Sequence, residues 1–256
     1  MVGRICIKTS EEIVGMREVG RRAAQVLNRV CAAVSPGVST YELDDWAHRA
    51  MEECEVESAS YGYGNGKNPF PRYICVSVNR EVVHGIGRRD RLLEEGDIVS
   101  LDVAVRYNGF VGDNTKTVCV GKVSRKVKDL VQATEDSLIE GIAQARVGHR
   151  VGHISAAIQR FVESKGYRVV RQLVGHGVGR EMHEDPPVPN FGQPSDGPFL
   201  QAGMTLAIEP MVVENSPAIE TADDGWTVFT KDGGMCAHFE HTVLISKDGP
   251  EILTKC

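Results

Sequence analysis

The chain has 256 residues, of which 41% are hydrophobic and 25% charged, and it carries a net charge of −6. That length can bury a sizeable core, as one domain or as two fused halves, and the composition is that of a soluble globular protein with no apolar run near the ~20 residues of a membrane span. The acidic balance excludes a general nucleic-acid binder, which needs clustered Lys and Arg against phosphate, and the basic stretch at 87–91 reads as a solvated loop.

The opening residues "MVGRICIKTSEE" contain no apolar signal core followed by a small-residue cleavage site, so the expected compartment is the cytoplasm. Cys6, Cys31, Cys54, Cys75, Cys119, Cys236 and Cys256 form no C-x-x-C pair; they fit reduced thiols rather than disulfides or a structural zinc site. From Ser10 to Val34 apolar residues recur with helical spacing, and Thr9 and Glu12 are placed as a capping box. "SPG" at 35–37 ends that helix. A second helix follows Ser39 and Glu42, again in capping spacing, with Leu43, Trp46, Ala47, Ala50 and Met51 on its inner face. Residues 72–79 read as a strand. Two β-rich runs, 97–107 and 110–120, are joined by Asn108-Gly109, a strong hairpin signal. Helices return at Ser124 to Arg146 and Gly152 to Lys165, the second closed by Gly166, and the last third reads as strands and long turns.

An internal repeat organises these elements. "LEEGDIVSLD" aligns with "LQAGMTLAIE": Gly203 lies 107 residues beyond Gly96, and Glu209 lies 107 beyond Asp102. Upstream, a helix, glycine turn, helix pattern recurs with Gly37 against Gly148. The chain therefore reads as a single domain, 1–256, built from half-repeats at about 10–120 and 124–250. Chance similarity over so few identities is the competing reading. Against it, the aligned acids sit where a strand should be apolar.

Asp102 interrupts the apolar run "IVSLDVAV", and a buried carboxylate is costly unless it is paired or bound to a metal. With Asn108-Gly109 as a two-residue turn, Tyr107 pairs with Phe110 and Asp102 lies opposite Thr115. Asp113 then shares the face of Asp102 as a diagonal neighbour at roughly 7–8 Å. Glu209 and Glu240 are likewise acids in apolar strand sequence and are expected at the symmetric places of the second half. Four such carboxylates repel one another at low dielectric, so either some are protonated or cations neutralise them. Carboxylates with an imidazole and no cysteine suit hard or borderline ions such as Mn, Fe, Co or Zn, and bridging carboxylates suit two ions about 3.5–4 Å apart. His176, in "GHGVG", offers a neutral nitrogen ligand, with Gly175, Gly177 and Gly179 removing bulk so that backbone can pass close to the site. His48, His149, His153 and His241 read as ordinary polar residues. His238, near Glu240, stays open.

The motifs "VVHGI", "SLDVAV", "GDNTKT", "GHGVGREMHEDP", "MTLAIEPM", "DGWTVFTKD" and "AHFEHTV" resemble, in order and over essentially the whole chain, those of type I methionine aminopeptidases. The resemblance implies an α+β pita-bread fold: a curved antiparallel sheet covered by helix pairs on one side, with an internal pseudo-twofold repeat and a dinuclear metal site in the concave centre. It carries the metal ligands onto Asp102, Asp113, His176, Glu209 and Glu240, with Asp113 and Glu240 bridging two divalent ions (Co, Mn, Fe, Zn or Ni). His84 and His183 match the family's substrate-contacting histidines. Tyr63, Phe70, Cys75 and Trp226 match its methionine pocket.

The implied reaction removes the initiator methionine from nascent polypeptides. A water held between the ions would be activated to hydroxide, Glu209 would carry its proton to the leaving amine, and His183 and His84 would hydrogen-bond the substrate. Nascent-chain N-termini are the expected partner, with the ribosome as a further candidate and a monomer as the expected state. The chain departs from the family pattern in a longer segment at 64–74, in Ser60 and in Met182, and it starts too close to its first helix to carry the amino-terminal zinc-binding extension of some relatives. Two other readings remain: a different pita-bread peptidase such as an X-Pro aminopeptidase or dipeptidase, and a non-enzymatic binding member of the fold. The first usually has a large amino-terminal domain, and the second should have lost ligands.

Overall fold

The computed structural model describes residues 5–64 and 66–255. Cys256, read from sequence as a reduced thiol, lies outside the described residues, whereas Cys31, Cys54, Cys75, Cys119 and Cys236 are free thiols. No helix among the described residues is long and apolar enough to cross a membrane.

Among the described residues four helices form two pairs: α1 (Ser10–Ala33), α2 (Thr40–Glu53), α3 (Arg125–Ala143) and α4 (Val151–Ser164). Thr9 with Glu12 and Ser39 with Glu42 close the reciprocal capping boxes that the spacing predicts, which satisfies orphan N–H groups at both starts. The third helix stops three residues before the predicted Arg146. There Arg146 folds back, its Nε donating to the carbonyl of Ala143 at 2.9 Å, and the chain turns at Gly148 with φ 87°. The strand expected at 72–79 is confined to Cys75–Val78. The amides of Tyr73 and Ile74 donate instead to Asp44 Oδ1 at 2.7 and 3.0 Å, so they are not free to extend the ladder.

The main sheet is antiparallel. Its order runs Glu57–Ser58, Ile98–Tyr107, Phe110–Cys119, Glu240–Ser246, Thr205–Ile208, Gly175–Gly177, Glu184–Val188, with Cys75–Val78 and Gly249–Ile252 attached alongside. The hairpin has the register read from sequence, Tyr107 opposite Phe110 and Asp102 opposite Thr115, and its turn residues Asn108 and Gly109 have φ of 48° and 77°. Alternation then sorts the faces. Leu101, Val103 and Val105 join Met16, Val19 and Leu43 in one core, and Leu206 and Val243 join Leu130 and Ile154 in a second. Both helix pairs lie on that outer face: residues of α1 and α3 flank Asn114 and His241 in one cleft, while the neighbouring Asp113 and Glu240 point the other way. The result is the pita-bread arrangement, with the acids on the inner face.

The two halves meet where Phe110–Cys119 pairs with Glu240–Ser246, Thr115 opposite Glu240. A reciprocal clamp marks the pseudo-twofold. Thr242 Oγ1 accepts the N–H of Asp113 and donates to its carbonyl at 3.2 and 2.8 Å, and Thr117 Oγ1 does the same for His238 at 2.9 and 2.8 Å. Asp113 therefore corresponds to His238. The pairing of His241 with Ile208, continued by one residue, puts Glu240 opposite Glu209 as Thr115 is opposite Asp102. Glu209 thus takes the symmetric place of Asp102 as expected, but Glu240 takes that of Thr115 rather than that of Asp113.

Candidate metal centre

Strand pairing fixes the acids before any side-chain contact does. Asp102 is held between Cys75 and Thr115, and Asp113 lies opposite Ala104. Thr115 Oγ1 donates to Glu240 Oε2 at 2.8 Å. Asp113 Oδ1 and Glu240 Oε1 are buried with no hydrogen-bond partner among the described residues. Buried polar atoms are normally satisfied, and an exception calls for a ligand, an ion or a water.

His176 completes the group. Its Nδ1 is 2.8 Å from the carbonyl of Gly177, which can only accept, so Nδ1 carries the proton and Nε2 presents a lone pair. That Nε2 is 3.4 Å from Glu209 Oε1. One ligand atom each from Asp113, His176 and Glu240 fall within 4.8 Å of one another. The glycines around His176 do more than the sequence reading gave them. A Cβ on Gly175 would meet the Ala207 carbonyl oxygen at 2.4 Å and Glu209 Cγ at 3.3 Å, and one on Gly177 the Asp185 carbonyl oxygen at 2.3 Å, so the small residues let the flanking strands approach and, at Gly175, also bring backbone close to a ligand side chain.

Electrostatics points to cations. Burial raises the carboxyls of Asp113, Glu209 and Glu240 well above the usual range, and repulsion from neighbouring acids adds to it. Asp102 is raised by burial too, with His238 opposing. Burial lowers His176 and His238 to about 4, leaving neutral imidazoles. Acids that resist ionising beside neutral imidazoles, with two orphaned oxygens among them, match what a hard or borderline divalent cation reverses on binding: its charge stabilises the carboxylates and uses the nitrogen lone pair. The donor set fits a metal.

The remaining predicted residues build the surrounding wall. Phe70 is buried and meets Trp226 edge-on at 5.4 Å. Trp226 Nε1 donates to the carbonyl of Asn68 at 3.0 Å, so the long segment after Gly64 braces the indole. Cys75, Met182 and Ser60 are buried beside them. His84 has a φ of 57°, a left-handed conformation uncommon for a residue with a Cβ, and its ring stands 6.2 Å from Trp226. Burial, helped by His238, lowers it to about 4. The ring of His183 sits 4.3 Å from that of His176, and its Nδ1 is 2.6 Å from the hydroxyl of Tyr63. Tyr63 thus joins the wall with its hydroxyl committed to His183.

All eleven predicted site residues line a single cleft: Tyr63, Phe70, Cys75, His84, Asp102, Asp113, His176, His183, Glu209, Trp226 and Glu240. His238 lines it as well, 3.6 Å from Glu209 through Nε2. The sequence signal for it was alternation, since residues 238 and 240 face the same side of a strand.

Comparison with known proteins places this geometry. Residues 14–247 match the model of metallopeptidase family M24. A methionine aminopeptidase from Clostridium acetobutylicum is 45% identical over 252 residues, which cover 98% of this chain and 99% of the relative. A crystal structure of methionine aminopeptidase from Thermotoga maritima superposes with a TM-score of 0.95 at 44% identity, covering 99% of this chain and all of that one. A Xaa-Pro dipeptidase from Bacillus anthracis matches with a TM-score of 0.77 at 24% identity over 62% of its own chain, a likeness of fold alone.

Proposed function

From the chain's membership of metallopeptidase family M24 we propose that it is a metal-dependent methionyl aminopeptidase, removing the N-terminal methionine from nascent polypeptides. The observation that carries this reading is the pair of partnerless buried oxygens, Asp113 Oδ1 and Glu240 Oε1, beside the free lone pair of His176. Asp102, Asp113, His176, Glu209 and Glu240 would hold two divalent ions, drawn from Co, Mn, Fe, Zn and Ni. Such ions supply Lewis acidity at the scissile carbonyl and bring the pKa of a water toward neutrality.

The protein's own groups do the rest. Glu209 accepts the proton of the attacking water and passes it to the leaving amine. Tyr63 donates its hydroxyl to His183 Nδ1, which leaves Nε2–H to donate to the peptide oxygen as charge develops there. His84, held neutral by burial, contacts the substrate next to its first peptide bond. Phe70, Cys75, Trp226 and the ring of Tyr63 receive the methionine side chain, whose thioether suits aromatic and sulfur neighbours.

The reading places the protein in the cytoplasm, where nascent N-termini emerge from the ribosome. A monomer suffices for this reaction, because every residue invoked comes from one chain. The test is release of the first residue from Met-Gly-Met and from Xaa-Pro peptides, with and without chelator. Methionine release that chelator abolishes and Co or Mn restores is expected. Preferential cleavage of Xaa-Pro peptides, or indifference to chelator, would contradict it.

A further inference from the structure

We infer that His238 is a positioning residue: its Nε2–H donates to Glu209 Oε2 and so directs Glu209 Oε1 toward the metal. The inference rests on the metal-dependent reading above and concerns a residue that reading does not use.

His238 is 2% exposed, and its Nε2 has no hydrogen-bond partner among the described residues. Among the described residues the closest carboxylate oxygen to it is Glu209 Oε2 at 3.6 Å, just beyond hydrogen-bond length, so the imidazole must turn enough to close that gap for the bond to form. Glu209 Oε1 meanwhile faces His176 Nε2 at 3.4 Å. The carboxylate is thus bracketed by two imidazoles, one on each oxygen. His176 offers a lone pair, because its proton is committed to the Gly177 carbonyl, so both His176 Nε2 and Glu209 Oε1 are free to ligate one ion. For His238, the tautomer that satisfies Glu209 Oε2 is Nε2–H.

Two features of the fold support this division of labour. Glu240 is treated in the same way: Thr115 Oγ1 donates to its Oε2 at 2.8 Å and leaves Oε1 without a partner. Each of the two glutamates then has one oxygen held by the protein and one directed to the cation. The second feature is the pseudo-twofold. His238 is gripped through its backbone N–H and carbonyl by Thr117 as Asp113 is gripped by Thr242, so it is fixed in the place that the first half gives to a ligand. Among the described residues, however, the close-packed ligand atoms come from Asp113, His176 and Glu240, without His238. An imidazole at that place supplies a neutral donor, where a carboxylate would add a fifth buried charge. The terminal torsion of a glutamate is broad and roughly two-fold, so a free Glu209 would sample orientations in which neither oxygen is aimed.

The decisive measurement is the tautomer of His238 in the full-length, zinc-loaded protein, read by NMR of 15N-histidine with the signal assigned from its loss in His238→Gln. A protonated Nε2 is expected. A protonated Nδ1 with bare Nε2, or Nε2 ligating zinc, overturns the proposal. Chelator competition supplies a second readout: His238→Leu should weaken zinc binding about 10–100-fold, the range typical of residues that orient metal ligands, and His238→Gln, whose amide can still donate, should bind close to wild type. Wild-type affinity in the Leu variant overturns the proposal as well, and the tautomer remains decisive should that variant not fold. Both readouts are independent of peptide cleavage. Failure to release methionine would refute the proposed function and leave this inference standing.

Discussion

At the scale of single residues, buried charge is the common theme, and a position remote from the metal centre shows its cost. Asp44 is 3% exposed and accepts the amides of Tyr73 and Ile74. Burial raises its carboxyl above the usual value, with those two hydrogen bonds and Arg72 opposing. A folded-state pKa above the unfolded one means that stability from this group is full below the ordinary carboxylate pKa and is lost as pH rises through the raised value. Asp44→Asn keeps an acceptor for both amides without the charge. Its stability relative to wild type, measured by denaturant titration, should therefore improve between pH 4 and pH 7, and a difference constant with pH would contradict the account. Three acids of the cleft, Asp102, Glu209 and Glu240, were legible in sequence for the same reason, each lying in apolar strand sequence where burial is expensive, whereas Asp113, between Gly112 and Asn114, was legible from the hairpin register. The contact of Tyr63 with His183 was not legible, because it joins two loops whose paths no periodicity fixes.

Among the elements, legibility followed the strength of the local signal. The hairpin register was readable because Asn108-Gly109 admits a tight turn and a period of two then fixes every facing pair. Both predicted capping boxes form. The boundaries that moved did so for tertiary reasons: Asp44 takes the amides that would have extended the Cys75–Val78 strand, and Arg146 closes the third helix early. The short strand Gly175–Gly177 depends on close backbone approach, and its sequence showed the small residues but not what they approach. Gly177→Ala would drive a methyl against the Asp185 and Glu184 carbonyl oxygens at 2.3 and 3.0 Å. Backbone atoms cannot step aside as a flexible side chain can, so a loss of about 1–3 kcal/mol is expected, together with weaker metal binding because His176 rides on the same strand. Thermal unfolding of the metal-free protein checks the first effect. An unchanged midpoint would show that the strands have slack.

For the molecule as a whole, the repeat was visible in sequence and its physical basis is visible in the backbone. Gly37 and Gly148 have φ of 90° and 87°, and Gly96 and Gly203 have φ of 101° and 92°, so the paired glycines make the same turns in both halves. The pairing of acids across the halves was only half legible. A longer insertion in the second half, which carries Trp226 and the strands Ile219–Thr221 and Val228–Thr230, shifts the alignment between Glu209 and Glu240. Two copies of one unit thus bring unlike side chains to one cleft, acids from both, His84 from the first and His176, His183 and His238 from the second. The central claim is that these buried groups are there to hold divalent cations. Anomalous scattering from crystals loaded with manganese addresses it directly. Two manganese peaks are expected in the cleft, among the side chains of Asp102, Asp113, His176, Glu209 and Glu240. Crystals fully exposed to manganese that show no anomalous density among these side chains would contradict the account.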